Sequence, residues 1–161
     1  MNAKYLYLVI SFLFVFTYCK KGNKSLEAKQ KLNNPNIIII YADDLGYGEV
    51  GYNGQKLIKT PELDELASKG IKFTDHYCGN AVCAPSRASL LTGKHPGHAY
   101  IRSNSPGYPD GQTPIPSEIE TLGKLMQRAG YKTACIGKWG LGSYINTGNP
   151  NKQGFDLDTH I

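Results

Sequence analysis

The amino-acid sequence predicts an α/β protein in which a parallel sheet is flanked by helices. The first observation is an unbroken apolar run, Asn36–Tyr41, which contains four consecutive isoleucines. β-Branched residues without alternation are typical of a strand that is buried on both faces, as in a parallel sheet. The second observation is the order of the predicted elements, which is strand, helix, strand, helix, helix, strand. This order favours parallel strands covered by helices on both faces.

Length and charge limit the possible classes of protein. The chain has 161 residues and a formal net charge of +5. This length allows one domain with a substantial core. Lysines are enriched only in the polar segment after residue 19, and no predicted element carries a basic stripe with interleaved aromatic residues. Because nucleic-acid binding domains need such a stripe, we expect no nucleic-acid partner.

Residues 1–19 are typical of an export signal. Lys4 supplies the positive end, and the apolar stretch Tyr5–Phe16 is too short to span a membrane. Cys19 resembles the lipidated cysteine of a bacterial lipoprotein leader, although Tyr18 stands where a small residue is normal. Ordinary cleavage or an uncleaved anchor are the alternatives to lipidation.

The leader predicts an exported protein in the periplasm, or an outer-membrane or cell-surface lipoprotein. We expect it to meet the membrane only through the leader or a lipid anchor. Residues 20–35 are polar and are predicted to be a linker. Residues 36–161 then form the predicted domain.

Two adjacent acids, Asp43 and Asp44, directly follow the first predicted strand. Ligands of open α/β sheets bind at this carboxyl edge, and hard cations such as Ca²⁺ or Mg²⁺ take carboxylate oxygens. Spacing by itself leaves a metal site and a solvated turn equally possible. The following glycines match the dinucleotide fingerprint, but no helix is predicted to begin within them. A nucleotide site is therefore rejected.

Two further elements precede the cysteine-containing stretch. Thr60 and Pro61 predict a helix start, and Gly70 predicts its end. Imperfect alternation over Ile71–Tyr77 predicts a strand.

The stretch Cys83–Gly93 combines a cysteine, a proline and an arginine with an apolar helical run. Pro85 suits the first helical position, which places Cys83 at or just before a helix N-terminus, where an anion is favoured. Arg87 follows one turn later and can direct its guanidinium toward the same place. This pattern predicts a nucleophile at an oxyanion-binding helix start, with a buried structural cysteine as the alternative.

The long segment from Thr92 to Pro116 is predicted to be a loop, and it either lines a substrate site for an anion or covers the surface. Its candidate residues are His95, His98, Tyr100 and Arg102.

A helix capped by Thr121 and ended by Gly130 is predicted next, followed by a strand over Tyr131–Ile136. Lys138 then emerges at the same sheet edge as the two acids.

Two signatures together resemble the type I, formylglycine-dependent sulfatases. Cys83–Gly93 matches C-x-P-S-R-x-x-L-L-T-G, and Gly130–Trp139 matches G-Y-x-T-x-x-x-G-K-W. They occur in the expected order, and the resemblance covers about Asn36 to Phe155. It implies the N-terminal part of an alkaline-phosphatase/sulfatase-like catalytic domain that releases inorganic sulfate from sulfuric esters.

The resemblance also implies roles for individual residues. A sulfatase-maturing enzyme would oxidise Cys83 to formylglycine, an aldehyde whose hydrate attacks sulfur, and Arg87 would stabilise it. Asp43 and Asp44, together with the modified Cys83, would bind Ca²⁺, or Mg²⁺ instead. Lys138 would bind the sulfate and assist the leaving oxygen. The substrate would be a sulfate ester, with a sulfated carbohydrate expected by analogy.

The sequence departs from the family pattern in two places. Gly140 stands where many sulfatases have a histidine, which we interpret as a feature of a subgroup. Sulfatases also run to several hundred residues, and Asp158–Ile161 does not resemble their continuation. We therefore expect a truncated fragment that is inactive by itself.

Three alternatives remain open. The chain could be an inactive sulfatase relic, or a metal-dependent phosphoryl-transfer enzyme of the same superfold, although such enzymes use Thr or Ser where Cys83 stands. The least favoured alternative is a zinc-stabilised binding module. Its candidate ligands are His76, Cys78, Cys83 and His98. If Cys83 is catalytic, Cys78 and Cys135 form the only available intrachain disulfide, which we do not expect.

Overall fold

A computed structural model of the chain describes residues 34–107 and 111–160. The predicted leader, most of the predicted linker and Cys19 lie outside the described residues. The chain divides into two compact units, residues 1–40 and residues 41–161. Within the described ranges, no helix combines the length and apolar character that crossing a membrane requires.

The first predicted strand, Asn36–Tyr41, is wrong. Residues 34–42 form neither helix nor strand, and the four isoleucines are between 53% and 84% exposed. The segment belongs to no sheet among the described residues. A strand exists only through hydrogen bonds to a neighbouring strand, and apolar composition does not supply that neighbour.

Three helices form in the second unit. Helix α1 spans Pro61–Lys69, α2 spans Cys83–Thr92 and α3 spans Leu122–Arg128. All three predicted helices are therefore confirmed. Short 3₁₀ turns occupy Tyr47–Glu49, Gly51–Asn53 and Pro150–Gln153.

The ends of the helices differ in detail from the predicted caps. The Thr121 hydroxyl accepts a hydrogen bond from the Lys124 N–H at 3.3 Å and caps α3 as predicted. The Thr60 hydroxyl does not cap α1 but accepts from the Gly51 N–H at 2.8 Å. Pro85 is the third residue of α2 rather than the first. Proline is tolerated throughout the first turn, because N–H groups there have no intrahelical partner.

The strands differ more from the prediction than the helices do. Ile71–Tyr77 is irregular, and Ile71 and Phe73 are 84% and 75% exposed, so the predicted strand is wrong. The predicted long loop contains a two-stranded antiparallel hairpin, β1 at Pro106–Gly107 and β2 at Gly111–Gln112.

One parallel pair of strands forms in the described part. Strand β3, Ala134–Gly137, begins later than the predicted Tyr131–Ile136, and it pairs with β4, Leu157–His160. The register places Ala134 opposite Leu157. Strand β4 was not predicted from the sequence.

The core lies between α2 and the segment that follows β3. Trp139 is 2% exposed, and its indole N–H donates to the Gly148 carbonyl at 2.6 Å. Its ring packs edge-on against the Phe155 ring, with 5.8 Å between the two ring centroids. The buried cluster consists of Ala84, Ala88, Ile101, Ile115, Trp139 and Leu141. Because residues next to Cys83 and Lys138 both enter this core, it fixes their backbones relative to each other.

Candidate active site

Cys83 is the first residue of α2, as the anion-binding helix start requires. The two residues after it, Ala84 and Pro85, are buried, so the helix start is held against the core while the thiol remains partly exposed. The backbone N–H groups of a first helical turn have no partner within the helix. The Ala84 N–H finds its acceptor in a side chain distant in sequence, the Asn104 amide oxygen at 3.1 Å.

Asn104 also contacts the thiol. Its amide nitrogen lies 3.3 Å from the Cys83 sulfur. This hydrogen bond is the foremost cause that holds the pKa of the Cys83 thiol below its ordinary value. The Ala84 N–H and the positive charge of Lys138 act in the same direction, and partial burial opposes them. The sulfur thus stands in an electropositive place where an anionic form is favoured.

Asp43 connects the other two predicted site residues. Its Oδ1 accepts from Arg87 Nη2 at 2.7 Å, and its Oδ2 accepts from Lys138 Nζ at 2.7 Å. The Lys138 hydrogen bond is the foremost cause that lowers the pKa of Asp43, and it likewise raises the pKa of Lys138. Asp43 therefore contacts Lys138, which follows β3, although the segment before Asp43 is not a strand.

A hydroxyl contact holds the chain near Asp43 against α2. The Tyr41 hydroxyl forms a short hydrogen bond with the hydroxyl of Ser86, which is 5% exposed. Asp43 follows Tyr41 by two residues, so this contact holds Asp43 close to Arg87 although the segment belongs to no described sheet.

Arg87 is the most buried charged group of the site, at 7% exposure. Its Nη1 is buried and has no hydrogen-bond partner among the described residues. A Cβ placed on Gly140, whose φ is +74°, would lie 3.2 Å from Nη1, so the glycine keeps this place open. Buried N–H donors are rarely left unpaired, and this one is available to an anion oxygen.

The predicted metal ligands form an incomplete set. Asp44 follows Asp43 with a left-handed φ of 59°. Ca²⁺ takes about six to eight oxygen ligands. The described residues contain no group of three His, Cys, Asp or Glu side chains that could hold a metal ion. Asp43 and Asp44 therefore supply only part of such a shell, and both Asp43 oxygens accept hydrogen bonds from Arg87 and Lys138. The metal site at Asp43, Asp44 and Cys83 stays a prediction.

The predicted residues of the long loop make local contacts instead. His95 Nδ1 accepts from the Gly97 N–H at 3.1 Å, and Arg102 Nε donates to the Ala99 carbonyl at 3.1 Å. Neither contact involves Cys83 or Lys138. The loop contributes Asn104 to the site, a residue that the sequence analysis missed because an asparagine in a polar loop carries no distinguishing pattern.

The structure describes two cysteines besides Cys83. Cys78 and Cys135 are free thiols, so they form no disulfide. Burial foremost raises the pKa of Cys135, and the charge of Asp158 adds to the effect. The zinc cluster that a binding module would need does not form among the residues the structure describes.

Comparison with known proteins places this arrangement in a family. The family model named Sulfatase matches residues 35–159. Mouse arylsulfatase G is 39% identical over 137 residues, which cover 82% of this chain and 25% of that protein. The chain thus spans about a quarter of the length of this curated relative.

Solved structures agree. Ps i-CgsB superposes with a TM-score of 0.69 and 39% identity, over 78% of this chain and 28% of that one. BT4656, solved with its substrate D-glucosamine-2-N,6-O-disulfate, superposes with a TM-score of 0.61 and 38% identity, over 76% of this chain and 22% of that chain. The predicted α/β fold of the alkaline-phosphatase/sulfatase type is confirmed by these similarities. The match over residues 35–159, with the likeness in sequence and structure, shows that the chain belongs to the sulfatase family.

Proposed function

We propose that this protein is an arylsulfatase-like sulfuric ester hydrolase whose nucleophile is a formylglycine hydrate made from Cys83. The observation that carries the proposal is that Lys138, whose charge acts on the Cys83 thiol, shares one carboxylate with Arg87. Cys83 begins α2, and the charge of Lys138 acts on it. Lys138 and Arg87 meet at the same carboxylate, Asp43. A nucleophile made from a residue at an anion-binding helix start, with a cation acting on it, suits attack on an anionic ester.

Two cationic groups support binding of the sulfate. Arg87 offers a buried N–H donor without a partner in the described part of the chain. The raised pKa of Lys138 keeps its ammonium group charged in neutral solution. Concentrated positive charge stabilises the oxygens on which negative charge develops in the transition state. We therefore assign sulfate binding to Arg87 and Lys138, and assistance to the leaving oxygen to Lys138.

The proposed modification gives residue 83 a way to expel the sulfate that it takes from the substrate. A sulfatase-maturing enzyme, using a two-electron oxidant such as dioxygen, would convert –CH₂SH to a thioaldehyde. Water then replaces the sulfur with oxygen and hydrogen sulfide leaves. The product is an aldehyde, which water hydrates to two hydroxyls on one carbon. Neither a thiol nor a serine can expel sulfate by re-forming a carbonyl.

The reaction follows from this hydrate. One hydroxyl loses its proton and bonds to sulfur, the bond from sulfur to the alcohol oxygen breaks, and that oxygen takes up a proton. The second hydroxyl then loses its proton, the carbonyl re-forms and sulfate leaves. Addition of water restores the hydrate. Arg87 holds the sulfate oxygens, and Lys138 lies near the leaving oxygen.

A sulfated carbohydrate is the proposed substrate class. BT4656, which shares the fold, takes a doubly sulfated glucosamine as its substrate. The open place beside Arg87 is where an anion oxygen of such a substrate would bind. Bound Ca²⁺ would add a Lewis acid, and Asp43 and Asp44 are carboxylates of the kind it uses. We also propose export through the sequence over residues 1–19.

Peptide mass spectrometry across Cys83 tests the proposal, after co-expression with a sulfatase-maturing enzyme. We expect the mass to fall by the difference between –CH₂SH and –CHO, and an aldehyde-reactive probe to label the same peptide. Cys83→Ala is the matched control for the probe, because its methyl group cannot be converted to the aldehyde in this way. A thiol that persists under conditions that convert a known sulfatase would contradict the proposal and favour the inactive relic.

Sulfate release from a chromogenic aryl sulfate tests the role of residue 83 in turnover. In a preparation that releases sulfate, Cys83→Ala should abolish the release, because alanine can form neither the aldehyde nor its hydrate. Unchanged turnover in this variant would show that another group is the nucleophile. The same assay tests the expectation that these 161 residues are inactive by themselves, which Cys83-dependent turnover by the purified chain would overturn.

A further inference from the structure

We infer that Asn104 is a positioning residue for side chain 83, a role that rests on the proposed function of that side chain. The geometry points to two separate contacts from one amide. Its Oδ1 accepts from the Ala84 N–H at 3.1 Å, and its Nδ2 donates to the Cys83 sulfur at 3.3 Å. One amide therefore fixes the backbone of the helix start and directs an N–H at side chain 83, from which the proposed nucleophile is made.

The backbone contact determines which way the amide faces. An N–H can be satisfied only by an acceptor, so the carbonyl oxygen of Asn104 must face Ala84. The amino group then lies nearer the sulfur, at 3.3 Å, than the carbonyl oxygen does, at 3.6 Å. After conversion of Cys83, the same N–H would donate to an oxygen of the hydrate. A hydrogen bond to the reacting group is stabilising only if the donor is held in place beforehand.

The loop that carries Asn104 is anchored on both sides. Ile101 is 3% exposed and belongs to the core cluster. The Ser105 N–H donates to the Gln112 side chain at 3.1 Å, and the Thr113 N–H donates to the Ser105 carbonyl at 3.0 Å. Although Asn104 itself is exposed, its backbone is therefore held by its neighbours. This anchoring is what a positioning residue requires.

A second asparagine offers a matched control. The Asn80 side chain accepts from the Val82 N–H at 3.1 Å, directly before the same helix. Both asparagines thus satisfy a backbone N–H at the start of α2, but only Asn104 has a described contact with the sulfur. A role confined to capping predicts similar effects from the two sites, whereas a positioning role predicts an effect on residue 83 only from Asn104.

Hydrogen exchange on the full chain tests the backbone contact. Ala84 lies in the first turn of α2, where an N–H has no acceptor within the helix. Asn104→Ala should therefore speed exchange of the Ala84 amide by about tenfold or more, while Ser86, which donates to the Val82 carbonyl, keeps its protection. Asn80→Ala should affect Val82 instead. Unchanged exchange at Ala84 in Asn104→Ala would overturn the inference.

The side-chain amide of Asn104 tests the contact with residue 83 without any need for catalysis. Its two N–H signals in a ¹⁵N spectrum of the full chain should shift on Cys83→Ala, and those of Asn80 should not. Asn104 signals that do not move would overturn the inference. Failure of Cys83 to mature would refute the proposed function and leave this measurement valid, so the two failures are distinguishable.

The matured protein gives a readout that a purely structural role would not change. The ¹³C signal of residue 83 distinguishes the aldehyde from its hydrate. Asn104→Asp keeps an acceptor for Ala84 but removes the donor, so it should preserve Ala84 protection and shift residue 83 toward the free aldehyde by several-fold. An unchanged ratio in both Asn104 variants would overturn the inference. In a preparation that releases sulfate, kcat should fall about tenfold with little change in KM.

Discussion

Asp43 is the residue at which the two cationic side chains of the site converge, but it serves them unequally. The Arg87 side chain is 9% exposed, whereas the Lys138 side chain is 51% exposed. A buried charge that loses its partner is strongly destabilised, while an exposed ion pair contributes little. The carboxylate therefore stabilises the fold chiefly through Arg87.

This asymmetry gives a prediction for stability in a metal-free buffer with a chelator. Asp43→Asn should lower the unfolding midpoint by several degrees, because it leaves the buried guanidinium without its counter-charge. Lys138→Met should change it by less than about 2 °C. Thermal unfolding followed by circular dichroism measures both. Equal losses in the two variants would contradict the assignment of Arg87 as the dependent partner.

The candidate side chains of the site were named from the sequence on two different grounds. Spacing at a helix start indicated Cys83 and Arg87, whereas Lys138 was indicated by the resemblance to the family signature. Asn104 was not identified. It reaches Cys83 across a separation of 21 residues, and only the path of the folded loop brings them together.

At the scale of elements, the parallel pair β3–β4 depends on one carboxylate beside its first rung. Asp156 Oδ2 accepts from the Thr133 N–H at 2.9 Å and from the Thr133 hydroxyl at 3.0 Å. The Asp156 N–H returns a hydrogen bond to the Thr133 carbonyl at 2.9 Å. These contacts align the residues just before the two strands, and so they favour the observed register.

The Thr133 backbone N–H is the foremost cause that lowers the pKa of Asp156 below its ordinary value of 3.8. The ionised form is thus favoured in the folded state, and its contribution to stability is fully present above the ordinary pKa. It is lost as the pH falls through the lower folded pKa. Asp156→Asn should therefore be less stable than the natural protein near pH 6, and the difference should shrink as the pH falls toward about 3.

Thermal unfolding across this pH range checks the prediction. Asp75→Asn is the matched control, because Asp75 is exposed and belongs to no strand. Its midpoint should follow that of the natural protein at every pH. A difference for Asp156→Asn that grows as the pH falls would contradict the assigned direction of the pKa shift.

Helices and strands also differed in how well they could be predicted. The three helices were found to within a residue or two, since capping residues and terminal glycines act within one turn. The strands at Asn36–Tyr41 and Ile71–Tyr77 were wrong, and β4 was missed. Strand formation depends on a partner that is distant in sequence, so local pattern does not determine it.

At the scale of the whole second unit, an apolar groove lies beside α1. It has a volume of about 590 Å³ and is lined by residues of α1, of the segment after it and of the segment over 45–53 before it. Leu66, Ile71 and Phe73 are 63%, 84% and 75% exposed there. Contiguous exposed apolar surface of this kind binds hydrophobic dyes.

We therefore expect the natively folded chain to enhance the fluorescence of an anilinonaphthalene sulfonate dye. Phe73→Glu should reduce the enhancement and leave the unfolding midpoint nearly unchanged, because this side chain is largely outside the core. Leu57→Lys is the control, since Leu57 is 92% exposed but does not line the groove. A dye signal unaffected by Phe73→Glu would show that the groove is not the binding surface.

The sequence by itself determined the family, the positions of the helices and the residues whose chemistry is recognisable. These properties depend on short-range spacing, which a linear chain displays directly. Only the tertiary structure decided that Asp43 is shared between Arg87 and Lys138, that an Arg87 N–H beside Gly140 has no partner among the described residues, and that Asn104 contacts the Cys83 thiol. Each of these joins groups that are distant in sequence, and their meeting depends on how the core packs.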